Sequence, residues 1–182
     1  MKVTPTGFSD LYVLEPVVFS DQRGFFMESY NAMTLQKQGI DIVFIQDNQS
    51  FSKKGVLRGL HFQMNPHAQT KLVRTLKGNI LDVVVDLRKN QPTFGKVFSI
   101  ELSDENKKQL LVPKGFAHAF VVLSEIASVL YKCDVHYNKP SERGIRFDDP
   151  ELNIDWALPK DQLILSPKDM KLPFLIDLNY QF

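Results

Sequence analysis

Residues 71–90 read KLVRTLKGNILDVVVDLRKN, two apolar runs rich in Val and Leu on either side of Lys77-Gly78-Asn79. Gly and Asn adopt positive φ at little cost, so the triplet supplies a tight turn and the pattern predicts a β-hairpin. Working outward, residues 96–103, KVFSIELS, place Phe98, Ile100 and Leu102 on one face and Ser99 and Glu101 on the other. That alternation is the period of a half-buried strand. After Pro113-Lys114-Gly115, a second turn signal, FAHAFVVL (116–123) and SVLYKCDV (128–135) read as two more strands. Strand-like runs bounded by Gly, Pro, Asn or Asp fill a β-barrel core over about residues 43–137, and helical periodicity is scarce. The pattern predicts an all-β fold, a sandwich, jelly roll or barrel, with a few short helices. Those helices are residues 31–38, closed by Gly39, and one turn near Lys168 with Ser166 as its cap. The Pro-rich tail after Asp148 reads as irregular.

With 182 residues, 43% hydrophobic and 24% charged, the chain supports one buried core, and residues 1–182 are expected to form a single domain. A formal net charge of +1 gives no broad basic field, so neither nucleic acid nor membrane is an expected partner. Cys133 is the only cysteine, which excludes an internal disulfide. The start, MKVTPTGFSDLY, lacks the pattern of a secretory leader, and no apolar run approaches bilayer length. A cytoplasmic protein is expected.

Two of the four histidines, His61 in VLRGLHFQ and His118 in GFAHAF, lie in predicted strands. Simple alternation groups His61 with Leu57, Gly59 and Gln63, and His118 with Phe116 and Phe120. Each fits either a hydrogen-bonded buried histidine or an acid/base catalyst, since imidazole titrates near working pH. Metal binding is the competing use. No H-x-H pair is present, and His67 follows His61 across an Asn-Pro turn without a Glu to complete a ligand set, so no metal or cofactor is expected. Tyr131 shares a face with Val129 and Cys133, Lys71 opens a strand, and Asp169 lies in the SPKD turn. Taken singly, these are an amphipathic core tyrosine and two charges at element ends. Arg23 in DQRGFF and Arg58 are candidates to hold an anion such as a diphosphate. Strict alternation sets Arg58 and His61 on opposite faces; a bulge at Gly59 would bring both to one pocket.

Three stretches, SDQRGFFMESYN (20–31), QDNQSFSKKGVLRGLHFQ (46–63) and QTKLVRTLKGNILDVVVDLRKNQPTFG (69–95), resemble the dTDP-4-dehydrorhamnose 3,5-epimerase family. The resemblance continues through LSDENKKQLLVPKGFAHAFVVLSEIASVLYK (102–132), DDPELNIDW (148–156) and LSPKD (165–169), nearly the whole chain in order. It implies a double-stranded β-helix of the cupin superfamily, a homodimer, no metal, and a dTDP-4-keto-6-deoxy sugar as substrate. It further implies His61 as general base, Asp169 as its orienting carboxylate, Tyr131 as the acid on the opposite side of the ring, and Lys71 as the support of the enolate oxygen. For the nucleotide and diphosphate it implicates Arg23, Glu28, Gln46, Asp47, Asn48, Arg58, Lys71, His118, Glu142 and Lys168, with Tyr137 stacking on thymine. Ala119 departs from the family's usual Gly in GFAHGF, and a local packing change is expected there. A 3-only or 5-only epimerase would use the same groups. A non-catalytic cupin-like sugar-binding module and a metal-dependent cupin oxygenase are the readings from other classes.

Overall fold

The structure, a computed structural model, describes residues 1–179 and residue 182. Its strands are β1 (Lys2–Pro5), β2 (Tyr12–Glu15), β3 (Val18–Asp21), β4 (Gly24–Met27), β5 (Gln46–Lys53), β6 (Leu57–Gln63), β7 (Lys71–Lys77), β8 (Asn79–Asp86), β9 (Val97–Ser103), β10 (Gln109–Val112), β11 (Phe116–Val122), β12 (Ile126–Cys133) and β13 (Glu142–Gly144). They form a six-stranded sheet, β1-β2-β10-β7-β12-β5, facing a five-stranded sheet, β13-β6-β11-β8-β9, with β3 and β4 forming a two-stranded sheet of their own. This is the double-stranded β-helix expected.

The strands at residues 96–103 and 116–135 stand where alternation put them. In β9, Leu102 is buried and Ser99 and Glu101 are exposed. The hairpin at Lys77-Gly78-Asn79 does not form. β7 pairs with β10 and β12, whereas β8 pairs with β11 and β9 in the other sheet, so the triplet turns a corner between the sheets. Gly78 has the positive φ expected of the turn, +79°. A tight turn can serve a hairpin or a corner equally, and non-local pairing decides between them. The hairpin that does form joins β8 to β9, in register from Asn79 opposite Ser103 to Val85 opposite Val97.

Strands also extend beyond residues 43–137: β1 and β2 pair and add to β10, and β13 adds to β6. Helix α1 (Ala32–Gln36) is shorter than predicted, with Asn31 Oδ1 capping Thr34 N at 3.3 Å and Gly39 at φ +81° beyond its end. The turn near Lys168 forms over Asp169–Lys171, and Ser166 Oγ accepts from Asp169 N at 3.1 Å.

Three apolar clusters follow from this layering. Val73, Ile80, Val84, Phe116, Phe120 and Val129 fill the space between the sheets. On the outer face of the five-stranded sheet, Leu57, Leu60, Phe62 and Val85 pack under the irregular C-terminal stretch through Ile145, Phe147 and Trp156. Leu35 and Ile40 cover one end of the other sheet at Leu14, Leu72 and Leu111. β6 buries Leu57, Leu60 and Phe62 in the outer cluster but leaves Arg58 exposed and His61 half-buried, at one open end of the barrel. Among the described residues no helix is long and apolar enough to cross a membrane.

Candidate active site

That open end holds a cavity of about 470 Å³ whose lining includes Arg58, His61, Lys71, His118, Tyr131 and Asp169. His61, Lys71 and Tyr131 also line an adjoining chamber of about 140 Å³, walled by Gln46, Asn48, Gln63, Gln69, Tyr137 and Glu142. β6 and β11, from the five-stranded sheet, contribute Arg58, His61 and His118. β7 and β12, from the facing sheet, contribute Lys71 and Tyr131.

A bulge in β6 creates this convergence. His61 pairs with His118 and Arg58 with Phe120, so three steps on β6 oppose two on β11. Arg58 and His61 therefore share the inner face, and strict alternation fails here because β6 carries one extra residue. The grouping of His61 with Leu57 is corrected for the same reason: Leu57 packs with Leu60 and Phe62 in the outer cluster. Gly59 makes the bulge possible, with φ at +128°. A Cβ there would come within 2.6 Å of both Ala119 Cα and His118 O. Ala119, the departure noted in the sequence, is buried, and its methyl lies against the space that Gly59 leaves open.

His61 Nε2 lies 2.7 Å from Asp169 Oδ1. The Asp169 side chain is only 6% exposed and that of His61 is 30% exposed, so the carboxylate sits behind the imidazole and the imidazole faces the cavity. Burial pushes the Asp169 carboxyl up, but hydrogen bonds from His61, Ser166 and the Gly59 N–H outweigh it and hold the group below its ordinary value. With Nε2 engaged, Nδ1 is the ring nitrogen left without a partner among the described residues, and a carboxylate on Nε2–H fixes that tautomer.

On the facing sheet, Lys71 and Cys133 are directly paired. Lys71 is not an exposed strand end. It points into the cavity partly buried, and burial lowers its pKa against the opposing pull of Cys133, Asp82 and Glu142. Among the described residues no acceptor pairs with its ammonium. The Tyr131 hydroxyl likewise has no partner there, and burial first, then Cys133, push its pKa up, against the field of Arg58. A neutral phenol and an unpaired ammonium therefore face an oriented imidazole across the cavity.

His118 Nε2 lies 2.9 Å from Asp82 Oδ2. Asp82 is wholly buried, and among the described residues its Oδ1 has no hydrogen-bond partner. Sequence reasoning passed over Asp82. The available signal was an acid inside the apolar run ILDVVVDL, since a carboxylate is seldom fully buried without a partner.

The remaining candidates divide. Arg58 stands at the mouth with Nε on Ser52 Oγ at 3.1 Å. Lys168 pairs with Glu142 at 2.6 Å, and the Tyr137 hydroxyl donates to the same carboxylate at 3.0 Å. Gln46 and Asn48 face inward on β5 and bond to each other at 3.0 Å. Asp47, between them, faces outward to Lys132 at 3.0 Å and is not brought to the cavity, because successive strand residues point to opposite sides. Arg23, at the tip of the β3–β4 hairpin, pairs with Asp21, and Glu28 bonds to Asn31 at 2.9 Å beside α1. Neither residue lines the cavity of its own chain.

Residues 5–177 match the family described as dTDP-4-dehydrorhamnose 3,5-epimerase. A protein of that name from Shigella flexneri is 49% identical over 181 residues, 99% of each chain. The crystal structure of dTDP-4-dehydrorhamnose 3,5-epimerase from Elizabethkingia anophelis NUHP1 superposes with a TM-score of 0.94 at 52% identity, covering 99% of each chain. The dTDP-6-deoxy-D-glucose-3,5-epimerase of Legionella pneumophila Philadelphia 1, in complex with dTDP-4-keto-L-rhamnose, gives a TM-score of 0.94 at 44% identity, covering 100% of this chain and 98% of that one.

Proposed function

Since this chain belongs to the dTDP-4-dehydrorhamnose 3,5-epimerase family, we propose that it inverts C3 and C5 of dTDP-4-dehydro-6-deoxy-D-glucose to give dTDP-4-dehydro-L-rhamnose. The observation that carries the mechanism is the placement of His61 on one sheet, backed by Asp169 at 2.7 Å, with Tyr131 and Lys71 on the facing sheet.

A proton beside a ketone becomes acidic only as the developing enolate is stabilised. His61 Nδ1 takes the proton from C3, the C–H electron pair moves into the C3–C4 bond, and the carbonyl electrons move onto O4. Lys71, an ammonium unpaired among the described residues, supports the charge on O4. Tyr131 then delivers its proton to the opposite face of C3, which inverts the centre. The imidazolium and the phenolate left behind are neutral again once His61 has lost a proton to solvent and Tyr131 has gained one. The same sequence at C5, after the ring turns in the cavity, completes the conversion. Asp169 stabilises the imidazolium and keeps Nδ1 free to act as base.

Arg58 and Lys168 at the mouth suit the diphosphate, and Tyr137 suits the thymine. The reading includes a homodimer acting in the cytoplasm. The dimer is supported by the β3–β4 hairpin, which leaves Phe19, Phe25 and Phe26 exposed, together with exposed Phe51 on edge strand β5. In such a dimer the hairpin of one copy is free to offer Arg23 and Glu28 to the other copy's cavity. NMR of the substrate in D₂O with the purified protein tests the reading: deuterium at both C3 and C5 with inversion at both supports it, and exchange at neither carbon defeats it.

A further inference from the structure

Residues 134–138, between β12 and β13, are held to the barrel by amide side chains. Gln69 Nε2 donates to Val135 O at 2.7 Å. Gln63, buried in β6 two residues beyond His61, makes three contacts: Nε2 to His67 O at 2.7 Å and His136 O at 3.5 Å, and Oε1 accepting from Asn138 N at 2.6 Å. Gln46 Oε1 accepts from Tyr137 N at 3.0 Å. Loop backbone groups need partners, and here the barrel wall supplies them from β5, from β6 and from just before β7. At the centre of the segment, Tyr137 is tied through its backbone N–H to Gln46 and through its hydroxyl to Glu142, while the residue remains 54% exposed. An aromatic ring fixed at both ends with an open face is preorganised for stacking, and a ligand then pays little ordering entropy to use it.

We propose that Gln46, Gln63 and Gln69 are positioning residues that fix Tyr137 as the stacking platform for the base of the nucleotide sugar. This rests on the nucleotide-sugar reading above. It gives Gln46 a positioning role in addition to substrate contact: its Oε1 accepts from Tyr137 N and its Nε2 donates to Asn48 Oδ1, each at 3.0 Å. The three glutamines act on the substrate through Tyr137.

Calorimetric titration of the full chain with dTDP, together with steady-state kinetics, tests this with Gln69→Leu and Gln63→Leu, each alone and combined with Tyr137→Ala. Gln69→Leu removes one hydrogen bond at a partly exposed position, so it is the variant expected to fold without difficulty. It is expected to weaken dTDP binding about five- to tenfold and raise KM alike, with a much smaller change in kcat. In the Tyr137→Ala background the same change is expected to weaken dTDP binding no further, because the clamp then has no ring to place. Gln63→Leu is expected to show the same pattern with a larger loss. An equal loss with and without the Tyr137 ring overturns the proposal, as does a fall in kcat at unchanged dTDP affinity. If the wild-type chain itself does not bind dTDP, the nucleotide-sugar reading fails, and the proposal fails with it.

Discussion

His61 Nε2 and Asp169 Oδ1 stand 2.7 Å apart although 108 residues separate them in the chain. The β6 bulge turns the imidazole inward, and the Ser166-capped turn carries the carboxylate to its back.

Asp169→Asn keeps the shape of this pair and removes its charge. The imidazolium formed on proton abstraction then lacks its stabilising carboxylate, and kcat is expected to fall by about 10² or more. The Asp169 carboxyl is held below its ordinary value of 3.8, so it binds fewer protons folded than unfolded. Its contribution to stability is present above that value and is lost as pH falls through the lower folded one. Acid-unfolding curves of the Asn variant are expected to lack this part of the wild-type decline. An unchanged acid limb together with unchanged kcat would contradict both statements.

Lys71→Met separates catalysis from stability. The ammonium is partly buried and unpaired among the described residues, with its pKa pushed down by burial, so the folded state carries a desolvation cost for it. Removing the charge is expected to raise Tm by a few degrees, about 2–4 °C per kcal/mol for a chain of this size, while kcat falls about 10²-fold or more. Between its lowered folded pKa and the unfolded value the unfolded chain binds more protons, so wild-type stability gains a rising contribution with pH that the Met variant lacks. A variant less stable than wild type but fully active would contradict this role.

Tyr131→Phe removes the proposed proton donor and leaves the proposed base, His61. Deuterium should still enter the substrate from D₂O through His61, whereas inversion is expected to drop by about 10² or more, because a proton returned by His61 restores the original face. An unchanged ratio of inverted to returned product, read by NMR, would remove Tyr131 from the acid role.

Gly59→Ala tests the bulge itself. The added methyl meets Ala119 Cα and His118 O at 2.6 Å in a positive-φ conformation that disfavours a side chain. Loss of the folded protein or a large fall in Tm is expected. Ala119→Gly should not restore it, since the backbone contacts remain. A stable, active Gly59→Ala protein would show that the β6 backbone can be arranged in another way.

Where the information was local, the fold was legible in the chain. The alternation in KVFSIELS and the turn residues Gly39 and Gly78 predicted what forms there. The partner of a strand is not local: Lys77-Gly78-Asn79 specifies a turn but not whether it joins neighbours in one sheet or crosses to the other. Gly59 flagged the bulge, and only the two-against-three pairing with His118 and Phe120 settles the facing of Arg58. Asp82 escaped notice because its role depends on His118, 36 residues away, and Asp47 was grouped with Gln46 and Asn48 although strand parity turns it outward. The roles proposed for His61, Lys71, Tyr131 and Asp169 rest on whole-chain resemblance. What the structure adds is their convergence from two facing sheets.

The most direct test of His61 as the base is the fate of the C3 and C5 protons when dTDP-4-dehydro-6-deoxy-D-glucose is held in D₂O with folded His61→Asn protein. Deuterium incorporation at both carbons is expected to fall to the level of the enzyme-free control, while the wild type exchanges both. Near-normal exchange in the folded variant would contradict the account.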